Sequence, residues 1–301
     1  MGGLETLPPW FSWALVALLG LCVGSFLNVV VHRLPRGESL LRPGSHCPAC
    51  QAPLRVRDNL PLLSYLRLRG RCAHCGARIS PRYPALEVAC AALFVAVALR
   101  YGAQPMTLLG WGFVAALLAA AVIDFDYKII PDEISLGGLG VALVATPLVE
   151  IAAGGAIGAS WLRAVSGALL GGGLFWAVGF VHARVSTALG REFPHWPGEG
   201  ESPPGPGQHD YWLWFPGVGL GDVKLLAMIG AVLGPVGALQ TILLASLLGL
   251  VLGLAWAAVT RQQAAPVGFG PALAGAANTR SAIGANSASA STIFWNTAPP
   301  V

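Results

Sequence analysis

The chain alternates between long apolar runs and shorter polar stretches. A helix needs about 20 mostly apolar residues to cross the hydrocarbon layer of a bilayer, and it satisfies its own backbone hydrogen bonds there. The pattern therefore predicts an all-α membrane protein that crosses the bilayer several times. The apolar runs cover residues 10–31, 84–99, 106–123, 134–151, 161–181 and 223–259.

The last apolar run, residues 223–259, is too long at 37 residues for one crossing. Gly234-Pro235 lies inside it, and because proline breaks a helix and glycine tolerates a turn, we expect two spans there. Residues 274–301 are too polar to cross lipid. The sequence thus predicts a bundle of seven to eight transmembrane helices with an atypical polar C-terminal tail.

The composition agrees with a membrane protein and excludes two other classes, soluble proteins and nucleic-acid-binding proteins. The chain is 55% hydrophobic and 11% charged, whereas soluble domains carry about 25% charged residues. The net charge of +4 does not indicate nucleic acid, because ten of the eighteen basic residues lie within residues 32–83. A basic loop beside apolar spans is typical of the cytoplasmic face. We therefore expect membrane lipid, and no nucleic acid, around this protein.

Counting crossings from that loop places two acidic residues on one face. The second and third spans go out and return, so Asp124 comes back to the cytoplasmic side at the end of the third span. The fourth and fifth spans repeat this, and Asp222 follows the connection at residues 186–218. The sequence therefore predicts that Asp124 and Asp222 meet at one face of the membrane.

Ionisable residues at the edge of an apolar span are functional candidates by default. Two facing carboxyl groups share one proton, so that one acts as a base on water and the other as an acid toward a carbonyl group. This is the chemistry of an aspartyl protease, with Asp124 and Asp222 as catalytic residues. Because Asp222 begins a helix and Asp124 ends one, helix polarity predicts Asp222 as the base and Asp124 as the acid. Gly219 and Gly221 would let backbone or substrate approach Asp222.

Two other interpretations of the acidic residues remain open at this point. Asp126, Asp132 and Glu133 are better explained as members of a polar turn than as catalytic groups. Lys224 is expected to reach toward the membrane surface or to pair with an acid.

A proton- or ion-coupled transporter could also use Asp124 and Asp222. It would need carboxylates near the bilayer midplane and an inverted repeat, and neither is apparent.

Two Cys-x-x-Cys pairs in the basic loop predict a metal site. Four thiolates at this spacing are typical of a structural, tetrahedral zinc ion with no open coordination position. Disulfides are the main alternative, and a reducing cytoplasm disfavours them. The four predicted zinc ligands are Cys47, Cys50, Cys72 and Cys75.

Several motifs in order resemble one family, the bifunctional prepilin peptidases, which are membrane aspartyl proteases of type IV pilus and type II secretion systems. The matching stretches are Gly24-Ser-Phe-Leu-Asn-Val-Val-Val-His-Arg-Leu-Pro35, both Cys-x-x-Cys pairs, Asn59-Leu-Pro-Leu-Leu-Ser-Tyr65, Arg82-Tyr-Pro-Ala-Leu-Glu87, Asp124-Phe-Asp126 with Ile130-Pro-Asp132, Gly219-x-Gly-Asp222 and Gly268-Phe-Gly-Pro271.

The resemblance implies a multi-pass protein of the bacterial inner membrane with its active site facing the cytoplasm. It implies cleavage of the basic leader from prepilins or pseudopilins, whose N-terminal helix is transmembrane, and N-methylation of the new N-terminus with S-adenosylmethionine. The residues that bind this methyl donor are unknown. Asn28, Glu38 and Glu87 are candidates, and each is equally consistent with capping or packing.

The sequence divides into a first span, a loop, a catalytic core and a tail. Residues 190–216 are rich in Pro, Gly and Trp, and we interpret them as a flexible linker rather than a metal site formed by His195 and His209. The expected segments are 1–31 for the first span, 32–83 for the zinc loop, 84–273 for the peptidase core with its linker at 186–218, and 274–301 for the tail.

Overall fold

The computed structural model describes residues 9–191, 193, 204–213, 216 and 218–260. This part of the chain contains eight α-helices and no regular strand. Two short 3-10 turns, Leu34–Arg36 and Val56–Asp58, lie between the first helices. The helices are α1 (Pro9–Arg33), α2 (Leu63–Arg67), α3 (Arg82–Tyr101), α4 (Pro105–Tyr127), α5 (Asp132–Ala152), α6 (Ile157–Ala188), α7 (His209–Leu213) and α8 (Leu220–Thr260).

Six helices of the described chain are long and apolar enough to cross a membrane, namely α1, α3, α4, α5, α6 and α8. The predicted all-α membrane class is therefore confirmed. The predicted number of seven to eight transmembrane helices is not confirmed. The tail at 274–301 and the motif at 268–271 lie outside the described residues.

Helix α8 is interrupted at the position that the Gly-Pro pair indicated. Gly234 has non-helical backbone angles, with φ 75° and ψ 179°. A Cβ on Gly171 of α6 would contact the carbonyl of Leu226 and would lie 3.5 Å from the Cβ of Ala238. In a straight helix those two residues would be about 18 Å apart. The chain therefore folds back at Gly234, and its first segment, residues 220–233, is only about 21 Å long.

The described chain forms two compact units that divide after Ile123. In the first unit, α1 and α3 cross closely because α1 presents glycines to α3. A Cβ on Gly20 would lie 2.5 Å from the Cα of Ala91, and one on Gly24 would lie 2.6 Å from the Cα of Glu87. Small residues at such crossings let the helix backbones approach, which is how membrane helices gain packing contacts.

In the second unit, α6 packs against both segments of α8 through glycine. A Cβ on Gly167 would collide with the carbonyl of Gly230 and would lie 2.8 Å from the carbonyl carbon of Gly234. Leucines elsewhere on α6 are exposed, and Leu162 and Leu169 keep 69% and 70% of their surface. This distribution, with small residues inside and leucine outside, is typical of helices that face lipid.

Part of the predicted linker after α6 is helical and packed. Helix α6 continues to Ala188, and residues 209–213 form α7, which lies on α6. The ring of Trp212 stacks on Phe180 with centroids 5.2 Å apart, and the guanidinium of Arg184 lies 3.6 Å from the ring centroid of Tyr211. Trp and Tyr combine an apolar ring with a hydrogen-bonding group, so they pack well where a surface is partly apolar and partly polar. His209 begins α7, and His195 lies outside the described residues.

Candidate active site and metal centre

Asp124 lies in the last turn of α4, where the helix ends in a left-handed residue. Lys128 follows α4 with φ 58°, and its backbone N–H donates to the carbonyl of Asp124 at 3.0 Å. Pro131 then precedes α5 with extended backbone angles. The side chain of Asp124 is half-buried. The turn between α4 and α5 therefore holds this carboxyl group at the end of an apolar helix.

Asp222 lies in the first turn of α8. Its backbone N–H donates to the carbonyl of Gly219 at 3.0 Å, which starts the helix. Its side chain is also half-buried. The free N–H groups and the dipole at a helix N-terminus stabilise negative charge, so this is a favourable position for a carboxylate.

Two contacts bring the two acidic segments together within the second unit. A Cβ on Gly221 would lie 3.1 Å from the Cβ of Ile130, so the turn after α4 touches the start of α8. Lys224 donates to Asp132 Oδ1 at 2.7 Å. The segments that carry Asp124 and Asp222 therefore lie side by side in this unit, although 98 positions separate the two acids in the sequence.

The two glycines before Asp222 serve different contacts. A Cβ on Gly219 would lie 3.4 Å from Asp222 Oδ2, so the absence of a side chain leaves this face of the carboxyl group open. Gly221 instead allows the close approach of Ile130. Glycine at both positions thus leaves space beside the carboxyl group of Asp222 and lets the two segments pack.

The structure assigns most of the neighbouring charges to local contacts. Asp132 and Lys224 form a partly exposed ion pair, as the pairing of Lys224 with an acid predicted. Glu133 is exposed at the start of α5. Lys128 was not singled out by the sequence reasoning. A sequence signal was present, because the chain has only two lysines, and they stand four residues after Asp124 and two residues after Asp222.

The four cysteines of the basic loop form one cluster. Their Sγ atoms all lie within 4.8 Å of one another, and the Sγ atoms of Cys47 and Cys75 are 3.9 Å apart. Four thiolates at about 2.3 Å from a tetrahedral zinc ion are about 3.8 Å apart, so the cluster has the right size for this metal. All four thiols are free rather than disulfide-bonded. Cys47, Cys50, Cys72 and Cys75 could therefore hold a metal ion.

Each Cys-x-x-Cys pair lies in a similar backbone turn. The N–H groups of Cys47 and Cys72 donate to the carbonyls of Ala52 and Ala77 at 2.9 and 2.8 Å. Backbone N–H groups of Cys75 and His74 point at the sulfur of Cys72 and lower the pKa of this thiol to about 7. A thiolate is the form that binds a metal, so the turn prepares this ligand for binding.

The residues considered for the methyl donor make structural contacts in the first unit. Asn28 donates to the carbonyl of Tyr83 at 3.3 Å, and the carboxylate of Glu87 accepts the N–H of Leu62 at 2.7 Å. The backbone N–H of Glu38 donates to the carbonyl of Arg33 at 3.1 Å. Asn28 and Glu87 therefore tie α1, α3 and the loop together, and no residue is assigned to the methyl donor.

Two family models cover most of the described chain. The model of the bacterial peptidase A24 N-terminal domain matches residues 18–101, which include the cysteine cluster. The model of the type IV leader peptidase family matches residues 111–254, which include Asp124 and Asp222. Both sites described above thus lie within matched segments.

Several curated proteins named prepilin leader peptidase/N-methyltransferase are similar over most of their length. One from Pseudomonas putida is 36% identical over 251 residues, which cover 74% of this chain and 73% of that protein. The chain belongs to the type IV leader peptidase family. A family member from Klebsiella pneumoniae is 37% identical, with 78% of this chain and 91% of that protein covered. One from Neisseria gonorrhoeae is 33% identical, with 78% of each covered.

Membership in this family makes the protein a peptidase and leaves the transporter interpretation without support. The predicted resemblance to prepilin peptidases is confirmed by the same matches. No solved structure matches the chain significantly.

Proposed function

We propose that this protein is a membrane aspartyl endopeptidase that removes the basic leader peptide from type IV prepilins or type II secretion pseudopilins, and that it N-methylates the new N-terminus. The observation that supports the peptidase chemistry is the contact between the turn that follows Asp124 and the start of α8, which carries Asp222. Both residues lie in the segment that matches the leader peptidase family.

The proposed cleavage needs only the two carboxyl groups and one water molecule. The pair holds one proton between them. The ionised carboxylate takes a proton from water while the oxygen of that water bonds to the scissile carbonyl carbon, and the protonated carboxyl group gives its proton to the carbonyl oxygen. In the second step the C–N bond breaks, the leaving nitrogen takes the proton abstracted from water, and a hydroxyl of the intermediate returns a proton to the other carboxyl group. The pair ends with one proton again.

The position of the pair suits a substrate that is itself anchored in the membrane. Asp124 ends one apolar helix and Asp222 begins another, so both lie where a spanning helix meets the membrane surface. A prepilin with a transmembrane N-terminal helix presents its leader at this level. The positive-inside rule assigns the arginine-rich loop, and by counting crossings also the two acids, to the cytoplasmic side of the inner membrane.

The proposed metal is a structural zinc ion held by Cys47, Cys50, Cys72 and Cys75. With four thiolate ligands, zinc would brace the loop and keep no position open for water or substrate. The size of the sulfur cluster supports zinc, and the free thiols support it over two disulfides.

The proposed methyltransferase activity rests on similarity to relatives named prepilin leader peptidase/N-methyltransferase. S-adenosylmethionine is the methyl donor that this activity implies, and it would supply a methyl group to the amine that cleavage exposes. The described residues do not identify its site.

A single assay tests both activities. The full-length protein, purified in detergent, is mixed with a prepilin with and without S-adenosylmethionine, and the N-terminus of the product is determined by mass spectrometry. We expect a shortened pilin in both mixtures and a product heavier by one methyl group only when the methyl donor is present. An intact prepilin in both mixtures would contradict the peptidase proposal, and a product without added methyl would contradict the second activity.

A further inference from the structure

The two lysines of this chain stand in different environments. Lys224 forms a 2.7 Å hydrogen bond with Asp132, and this ion pair is partly exposed. The ammonium nitrogen of Lys128 is buried and has no hydrogen-bond partner within the described residues. A buried cation is costly unless an opposite charge compensates it. The environment of Lys128 therefore calls for an anion nearby.

The backbone conformation at Lys128 does not explain why a lysine stands at this position. The residue ends α4 in the left-handed region, with φ 58°, where glycine or asparagine is the usual choice. Lysine has no conformational advantage at this position. Its ammonium group lies 5.4 Å from the ring centroid of Phe125, which turns the side chain back along α4 toward Asp124.

The acid best placed to meet this requirement is Asp124. Lys128 is one helical turn after Asp124 and is hydrogen-bonded to its carbonyl through the backbone. Two other cations of the second unit have partners elsewhere. Arg163 pairs with Glu150, and Arg184 donates to the carbonyl of Tyr211.

The geometry points to Lys128 as a positioning residue that holds the negative charge of the catalytic pair on Asp124, which makes Asp124 the general base and Asp222 the acid. This inference rests on the proposed function. It reverses the order that helix polarity predicts. The full charge of the ammonium group outweighs the negative end of α4, which carries about half a unit charge, and the backbone N–H of Lys128 already satisfies the carbonyl of Asp124 at that end.

In the resulting step, Asp124 takes the proton from water as the oxygen of that water bonds to the carbonyl carbon, and Asp222 gives its proton to the carbonyl oxygen. Lys128 touches neither the water nor the peptide. Its charge favours the ionised form of Asp124 before the reaction begins.

The test compares neutral and charged replacements of Lys128 in the full-length protein. Lys128→Met keeps the length of the stem and removes the charge, Lys128→Gln removes the charge but stays polar, and Lys128→Arg keeps the charge. We expect kcat for leader cleavage to fall by about tenfold or more in both neutral variants, with KM nearly unchanged, and Lys128→Arg to recover most of it. Zinc content and elution as a single species show that each variant is folded.

Arg100→Met is the matched control, because it also replaces a cation by methionine and Arg100 is exposed at the end of α3 in the first unit. We expect a change of less than about threefold in kcat, since surface substitutions outside the site usually have small effects. Folded Met or Gln variants that keep wild-type kcat would overturn the inference, and so would Lys128→Arg if it lost as much as Lys128→Gln. Asp124→Asn and Asp222→Asn separate the two proposals, because cleavage by either of them defeats the proposed function itself.

Discussion

At the scale of residues, the site uses positions where a helix end offsets part of the cost of a carboxyl group near lipid. Asp222 has the free N–H groups of a helix start, and Asp124 has no such support at a helix end but has the buried ammonium group of Lys128. A charge at the membrane edge is kept only where it is compensated. We propose that the two acids are compensated in different ways, and that this difference is the physical basis for their different roles.

The positions of both acids could be predicted from the sequence because counting crossings needs only the lengths of apolar runs. The role of Lys128 could not. Its φ of 58° reverses the direction of the chain after α4, and helical periodicity does not anticipate a left-handed residue. The cysteine cluster was easier to predict from the sequence, because the spacing of four identical ligands is itself a metal signature.

The first prediction concerns the replacement of two metal ligands. Cys47→Ser combined with Cys72→Ser should release the zinc and loosen the loop around residues 40–80, because hydroxyl groups do not replace thiolates as zinc ligands. Metal analysis should find about one zinc ion per wild-type chain and little in the variant, and limited proteolysis should cut the loop of the variant faster.

Cys22→Ser is the control for this experiment, because Cys22 lies within α1 and outside the cluster. It should keep the metal content of the wild type. Equal zinc in the double variant and the wild type would refute the proposed site.

At the scale of elements, glycine sets how closely the helices of the second unit approach. Gly167 and Gly171 of α6 face α8, and a Cβ at either position would meet backbone carbonyl groups rather than flexible side chains. Backbone cannot move aside as a side-chain end can. The start of α8, and with it Asp222, is therefore placed by a contact between glycines.

Gly167→Ala should be strongly destabilising for this reason. The added methyl group would collide with the carbonyl of Gly230. Overpacking of this kind typically costs about 1–3 kcal/mol. Thermal unfolding of the purified protein in detergent should show a lower midpoint, and leader cleavage should fall because the start of α8 shifts.

Gly173→Ala on the same helix is the matched control, because a Cβ there has nothing within 4 Å. Alanine is a better helix former than glycine by about 0.5–1 kcal/mol, so this variant should be as stable as the wild type or slightly more stable. A Gly167→Ala protein with the midpoint of Gly173→Ala would contradict the close packing of α6 on α8.

The helix boundaries were the part of the fold that was hardest to predict from the sequence. The break at Gly234 was predictable because glycine and proline act locally. The extension of α6 to Ala188 and the docking of α7 were not, because they depend on ring contacts such as that of Trp212 with Phe180. A segment rich in Pro, Gly and Trp has the composition of a linker, and only tertiary contacts give residues 209–213 a fixed place.

At the scale of the whole molecule, the account depends on orientation. The arginine-rich loop should lie in the cytoplasm, and the turns after α3 and α5 should then face the opposite side. Each of these two turns offers an exposed position for a probe, namely Gln104 after α3 and Ala156 after α5, and Gly207 before α7 is an exposed position on the expected cytoplasmic side.

Cysteine labelling tests this orientation. In intact cells, a membrane-impermeant maleimide should label Gln104→Cys and Ala156→Cys, and it should label Gly207→Cys only after the membrane is permeabilised. The unmodified protein reports the background from its own thiols. Labelling of Gly207→Cys in intact cells at the level of Gln104→Cys would place the connection before Asp222 on the wrong side.

The central claim is that two acids, distant in sequence, share one proton and cut the leader together. The most direct measurement is leader cleavage by Asp124→Asn and by Asp222→Asn, each purified with its metal and compared with Glu133→Gln, which removes an exposed carboxylate from the start of α5. We predict that both asparagine variants stay folded and lose cleavage by at least about a thousandfold, since neither can complete the pair, while Glu133→Gln cleaves like the wild type. Cleavage at the wild-type rate by either folded asparagine variant would contradict the account.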